Sequence, residues 1–129
     1  MYIFYNLEKI KEFLKNNLDL KISDKKTKFQ KINKGIDFLG YFIKPNHILV
    51  RQKVVGRLKK KLSLYTKSNN LDKKGLKNIL AKINSYYGHF RHASSFNFRK
   101  DIYKNHLGEL KRNFLPKTNY LSLKYVNVK

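Results

Sequence analysis

Hydrophobic and polar residues alternate along this chain with a period that changes from helical to strand-like near residue 18. Apolar residues recur every three or four positions from Leu7 to Leu14, which predicts a helix over 7–17. Alternation with a period of two follows at 18–22, and a second such run lies at 27–32. This period is typical of half-buried strands, so both runs are predicted to be extended.

The next segment combines two glycines with an alternating apolar run. Gly35 and Gly40 flank a bent strand predicted over 36–43, and 48–50 are predicted to pair with it after a turn at 44–47. Because glycine has no side chain beyond Cα, another backbone or a ligand can approach closely at these two positions.

The helical period returns at residue 52. It predicts a helix that starts at Gln52 and is interrupted at 68–70, and a second helix over about 72–87 that stops at Gly88. A third helix is predicted to start at Ser94-Ser95, whose hydroxyls can cap its first turn.

The order of these elements predicts an α+β fold in a chain of 129 residues. An N-terminal helix and a small antiparallel sheet occupy 1–50, a three-helix bundle occupies 51–115, and an extended or frayed tail occupies 116–129. This length suits one domain, or a small lobe with a helical appendage.

Charge indicates a polyanionic partner. Thirty Lys and Arg residues face eight Asp and Glu residues, for a formal net charge of +22. Residues 1–43 hold nine basic and five acidic residues, whereas 44–129 hold twenty-one basic and three acidic ones. The C-terminal two-thirds is therefore the predicted contact surface for nucleic acid, since binding releases condensed counterions.

Other partners and compartments are disfavoured. An acidic membrane is the rival polyanion, but no run approaches the roughly 20 apolar residues of a membrane span, and the N-terminus lacks the features of a secretory signal. The chain has no cysteine, which excludes disulfides, thiolate metal sites and cysteine nucleophiles. A cytoplasmic protein without a membrane partner is expected.

Several segments resemble, in order, the end of the palm and the thumb of bacterial reverse transcriptases of the group II intron, retron and diversity-generating retroelement type. In that family the catalytic Tyr-x-Asp-Asp hairpin is followed by a helix, a Leu-x-Leu strand, a Lys-Thr pair and a Phe-Leu-Gly strand. The matching segments here are helix 7–17, Leu18 with Leu20, Lys26-Thr27, and Gly35 to Tyr41. Residues 84–93 (Asn-Ser-Tyr-Tyr-Gly-His-Phe-Arg-His-Ala) look like part of the family thumb.

The resemblance implies a primer grip formed by Phe38, Leu39, Gly40 and Tyr41. The alternative is that Phe38 and Leu39 are core and interface residues, and one of the two is expected in the core. Lys26 matches a lysine proposed in the family to protonate the pyrophosphate leaving group; the alternative is a solvated lysine in a basic turn.

The departure from the family concerns its metal centre. No Tyr-x-Asp-Asp occurs, and the upstream metal-binding aspartate is also absent. The resemblance implies Mg²⁺ in the complete polymerase, but no metal site or cofactor is expected on this chain. It is therefore not expected to polymerise alone, and the fingers and catalytic palm are expected either to be missing or to lie on another chain.

The expected nucleic-acid partners are an RNA template and an RNA–DNA hybrid, which basic residues would position without reading sequence. The candidate contacts are Arg51, Lys53, Arg57, Lys60, Lys61, Lys74, Lys82 and Arg91. His89 and His92 lie three residues apart, but packing or a phosphate contact is favoured over metal binding because further ligands are lacking.

Two other hypotheses remain open. The chain is a free-standing basic RNA-binding module with no polymerase activity, or it is a remnant that folds poorly because its first strands have lost their partners.

Overall fold

A computed structural model describes residues 2–68 and 71–128. The chain forms two compact units, with the boundary between Lys31 and Ile32. The division into an end of palm over 1–50, a thumb over 51–115 and a tail over 116–129 stays a prediction. The α+β class is confirmed by helices and two small antiparallel sheets.

The first unit is built on one long helix. Helix α1 spans Tyr2–Leu18 and contains the predicted helix, but it has no buried residue. Lys11 lies 3.3 Å from a Glu8 carboxylate oxygen and 3.4 Å from one of Asp24. The hydrogen bond to Glu8, followed by that to Asp24, raises the pKa of Lys11.

The two strands predicted in this unit are absent from the described residues. The segment 19–23 has no regular structure, and 24–26 form a 3-10 turn in which the Lys26 amide donates to the Ser23 carbonyl over 3.0 Å. Residues 27–31 also lack strand structure, and Ile32–Lys34 form a second 3-10 turn. A strand needs a hydrogen-bonded neighbour, and neither run has one within this unit.

The second unit begins with the 3-10 turn over Ile32–Lys34 and continues into a three-stranded antiparallel sheet. Its strands are β1 (Ile36–Phe38), β2 (Tyr41–Lys44) and β3 (His47–Val50), in that order across the sheet. The predicted single bent strand over 36–43 is thus two strands, which pair directly at Phe38 and Tyr41.

Two helices follow with the predicted periodicity. Helix α2 spans Gln52–Lys67 and buries Val55, Leu58 and Leu62. Helix α3 spans Lys73–Phe90, and the Asp72 carboxylate caps it by accepting from the Gly75 amide over 2.7 Å. The predicted stop at Gly88 is wrong, because glycine is tolerated inside a helix whose other side chains pack in the core.

The third predicted helix is shorter and irregular. Helix α4 spans Phe96–Asp101 and continues as a π-helical turn over Ile102–His106 and a 3-10 turn over Gly108–Arg112. Arg99, only 5% exposed, donates to Ser95 Oγ over 2.6 Å and to the Phe90 carbonyl at the end of α3 over 3.4 Å. Burial lowers the pKa of Arg99, and the guanidinium lies where a helix C-terminus favours a cation.

The tail forms a hairpin and is not frayed. Strand β4 (Phe114–Lys117) pairs antiparallel with β5 (Ser122–Tyr125). Phe114 and Leu123 are buried in the same core as α2 and α3. Asn84 on α3 donates to the Leu123 carbonyl over 2.9 Å and accepts from the Leu123 amide over 2.8 Å.

Replacing Asn84 with alanine is expected to lower the free energy of unfolding by about 1–3 kcal/mol, because the partly buried amide and carbonyl of Leu123 lose their partners. Asn78→Ala is the matched control, since Asn78 is an exposed asparagine on the same helix. Denaturant unfolding of both variants measures the difference. Equal stabilities would show that this side chain does not hold the hairpin.

Candidate nucleic-acid interface

A two-residue turn joins β1 to β2 and carries the centre of the predicted primer grip. Leu39 and Gly40 have φ angles of 48° and 87°, the arrangement of a type I′ hairpin turn. The Gly40 carbonyl accepts from the Arg51 amide over 2.9 Å. A Cβ at Gly40 would lie 3.0 Å from His89 Nε2, so both the backbone and the close approach require glycine here.

Tyr41 anchors this turn to the end of α3. Its hydroxyl donates to the His89 carbonyl over 2.7 Å. Its ring stacks on the His89 ring with centroids 4.3 Å apart and planes 20° apart. Since these two residues are 48 positions apart, the ring stack and the hydrogen bond together fix the hairpin against α3.

The tip of the turn is exposed and borders a groove of about 280 Å³, hereafter the turn groove. Leu39 is 75% exposed and Phe38 is 56% exposed. The expectation that one of them lies in the core is therefore wrong: β1 is an edge strand with every residue exposed. The turn groove is lined by Leu39, Gly40, Val54, Ser85, Tyr86 and His89.

Two lysine–tyrosine pairs extend this surface along the line where α2 meets α3. Lys61 Nζ lies 5.3 Å from the centre of the Tyr86 ring, and Lys82 Nζ lies 5.9 Å from the centre of the Tyr65 ring. These four residues are called the seam. Each pair joins the two helices, and Tyr86 also lines the turn groove, so the groove and the seam share a wall.

The remaining predicted contacts differ in their surroundings. Lys53, Arg57 and Lys60 are exposed at spacings of four and three on α2, so they share one side of that helix. Lys74 is exposed on α3, and Arg91 is exposed directly after it. Arg51 instead pairs with Asp37, with Nε 3.0 Å from a carboxylate oxygen.

The four acidic residues of the second unit are engaged elsewhere. Asp37 pairs with Arg51, and Asp72 caps α3. Asp101 lies 3.6 Å from His106, and Glu109 lies 3.0 Å from Arg112. Among the described residues, the lining of the turn groove and the seam contains no carboxylate, so this surface is uniformly favourable to phosphate.

The donor set does not fit a two-metal centre. Within residues 2–68 and 71–128, no three His, Asp or Glu side chains are close enough to hold a metal ion. His89 packs against Tyr41, whereas His92 is exposed in the turn after α3. Lys26 is exposed in the 3-10 turn of the first unit.

Sequence reasoning missed part of this surface. The apolar spacing of α2 accounts for Tyr65 without a lysine partner, and no sequence pattern links His89 to the hairpin. Each tyrosine of the seam pairs with a lysine on the other helix. Nothing local in the sequence indicates that pairing.

No protein-family model matches this chain, and no curated protein is significantly similar to it. In the described part of the chain, the helices are too short or too polar to traverse a bilayer.

Proposed function

We propose that this chain is the C-terminal part of an RNA-directed DNA polymerase, which grips the primer and clamps the template–primer duplex. The observation that carries the proposal is the junction of the turn groove with the seam. A glycine turn of the type expected for a primer grip is fixed by Tyr41 to α3, one of the two helices that form the seam, as a grip joined to a thumb requires.

The turn can contact the end of a primer without recognising the sequence of its bases. Gly40 lets the backbone approach a sugar-phosphate chain, and the exposed Leu39 and Phe38 offer apolar surface to a sugar or a terminal base. A primer end held in this way can have any sequence, which a polymerase needs at every step of synthesis.

The seam and the basic side of α2 supply affinity for the duplex. Lys61 and Lys82 lie over tyrosine rings, while Lys53, Arg57 and Lys60 are exposed along one side of α2. Contacts of this kind hold phosphates and fix the position of a duplex. The expected ligand is an RNA–DNA hybrid on an RNA template, in the cytoplasm of a bacterial cell.

The metal chemistry belongs to residues outside this chain. The four carboxylates of the second unit are engaged in ion pairs or a helix cap, and no three His, Asp or Glu side chains cluster among the described residues, so Mg²⁺ would be held by the fingers–palm half of the enzyme. Lys26 is retained as the proposed proton donor to pyrophosphate because the resemblance places it in that motif and its side chain is exposed.

Complementation tests the proposal directly. This chain is mixed with a fingers–palm fragment of a bacterial reverse transcriptase that ends after its Tyr-x-Asp-Asp hairpin, and primer extension is measured with Mg²⁺. We expect extension from the mixture that Gly40→Val abolishes.

The main alternative is a free-standing RNA-binding module, which the dispersed carboxylates also suit. Tight RNA binding with no extension under any pairing would favour that alternative. The Gly88→Val variant controls for a general effect of valine, because Gly88 lies in open space on α3 among the described residues.

A further inference from the structure

A second groove is lined by residues of β2 and β3, of α2, and of the segment that follows α3. Tyr41 and Phe42 are neighbours in β2, so their side chains point to opposite faces. Tyr41 contacts α3 beside the turn groove, whereas Phe42 lines a larger groove of about 590 Å³, hereafter the sheet groove. This volume falls within the range of about 300–1,000 Å³ found for ligand pockets.

The lining of the sheet groove contains an apolar set of residues and a polar, basic set. Phe42 and Leu49, directly paired across β2 and β3, belong to the apolar set. Arg51, Lys59 and Ser94 belong to the polar set. The lining contains no carboxylate among the described residues. An apolar platform beside cations and a hydroxyl suits a nucleotide, with its base on the platform and its phosphate at the cations.

One of these cations is engaged in an ion pair. Arg51 Nε lies 3.0 Å from Asp37, and both side chains are about half exposed, at 49% and 44%. Exposed pairs of this kind contribute little to stability. A phosphate can therefore compete with Asp37 for Arg51 at small cost.

We infer that the sheet groove binds an unpaired stretch of nucleic acid next to the duplex held by the seam. This inference goes beyond the proposed function, and it rests on the proposed function only for the identity of the duplex. Single-stranded RNA and single-stranded DNA share the chemistry argued above, and the experiment separates them.

Fluorescence anisotropy with three labelled ligands tests the inference. The ligands are a short blunt RNA–DNA hybrid, the same hybrid with an unpaired RNA extension, and the same hybrid with an unpaired DNA extension. We expect at least one extension to tighten binding about five- to tenfold, the contribution of one stacked base. Equal affinity for all three ligands would overturn the inference.

Two variants are expected to change the affinity gained from the unpaired extension in opposite directions. Leu49→Asp places a carboxylate in the apolar set at a position already 39% exposed, and should remove the gain from the extension while leaving the blunt hybrid unaffected. Asp37→Asn releases Arg51 and should increase the gain. Leu115→Asp is the matched control, a strand leucine 41% exposed in the tail hairpin.

The outcomes separate this inference from the proposed function. Loss of blunt-hybrid binding in seam variants tests the duplex site alone. A gain from the extension that Leu49→Asp and Asp37→Asn do not alter would place the unpaired strand elsewhere. If Leu49→Asp unfolds the chain, the increase expected for Asp37→Asn still decides the question.

Discussion

Reversing the charges of Lys61 and Lys82 together is expected to weaken binding of a blunt RNA–DNA hybrid by more than about tenfold, or about 1.4 kcal/mol. Each lysine belongs to the seam and is held over a tyrosine ring of the facing helix. If each neutralises one phosphate, the slope of log affinity against log salt falls by about two in magnitude. Anisotropy titrations of Lys61→Glu/Lys82→Glu at several salt concentrations measure both quantities.

A control is essential because the whole chain is basic. Lys104→Glu/Lys124→Glu produces the same change in net charge at two exposed lysines outside the seam and the turn groove. A general electrostatic attraction predicts equal losses for the two double variants. A local duplex site predicts a much larger loss, and a larger change in salt slope, for the seam pair. Equal losses would contradict the duplex site.

The helices could be predicted from sequence because their period is a local property. The apolar stripes of α2 and α3 face the core wherever the rest of the chain lies, so Leu58, Leu62, Ile83 and Tyr87 are buried as their spacing requires. The strands predicted at 18–22 and 27–32 failed for the converse reason. An alternating segment forms a strand only if another strand pairs with it, and the sequence does not show that these two segments lack such a partner.

The candidate site could be predicted only in part. The glycine turn was visible, since Gly35, Gly40 and the alternating run between them are adjacent in sequence. Its attachment to α3 was not, because Tyr41 and His89 are far apart in the chain and neither has a distinctive pattern. Arg51 was predicted to contact phosphate. In the structure its guanidinium pairs with Asp37, a residue of β1, so a carboxylate already lies beside it.

The exposure of Leu39 has a local explanation with a functional consequence. It occupies the first position of a type I′ turn, where a left-handed backbone costs about 1–2 kcal/mol for a residue other than glycine. Asparagine followed by glycine is the preferred sequence for such a turn. A large apolar side chain in this strained position, 75% exposed, adds nothing to the core, which is consistent with a role in binding.

Substitutions at the two residues of this turn should therefore change the free energy of unfolding in opposite directions. Gly40→Ala is expected to lower the free energy of unfolding by about 1–3 kcal/mol, because alanine is strained at a φ of 87° and its Cβ would crowd His89. Leu39→Asn is expected to raise it by about 1 kcal/mol by relieving the strain. Denaturant unfolding monitored by circular dichroism measures both values.

Hybrid binding by the same variants separates stability from function. Leu39→Asn should bind the blunt hybrid more weakly than the parent chain despite being more stable, since the apolar tip of the grip is lost. Gly88→Ala should also gain about 0.5–1 kcal/mol, as a helical glycine with room for a methyl group, but should bind normally. Unchanged binding by Leu39→Asn would remove the turn from the primer contact. A loss for Leu39→Asn that Gly88→Ala does not share would show that the strain in this turn is retained for the surface it presents to the primer.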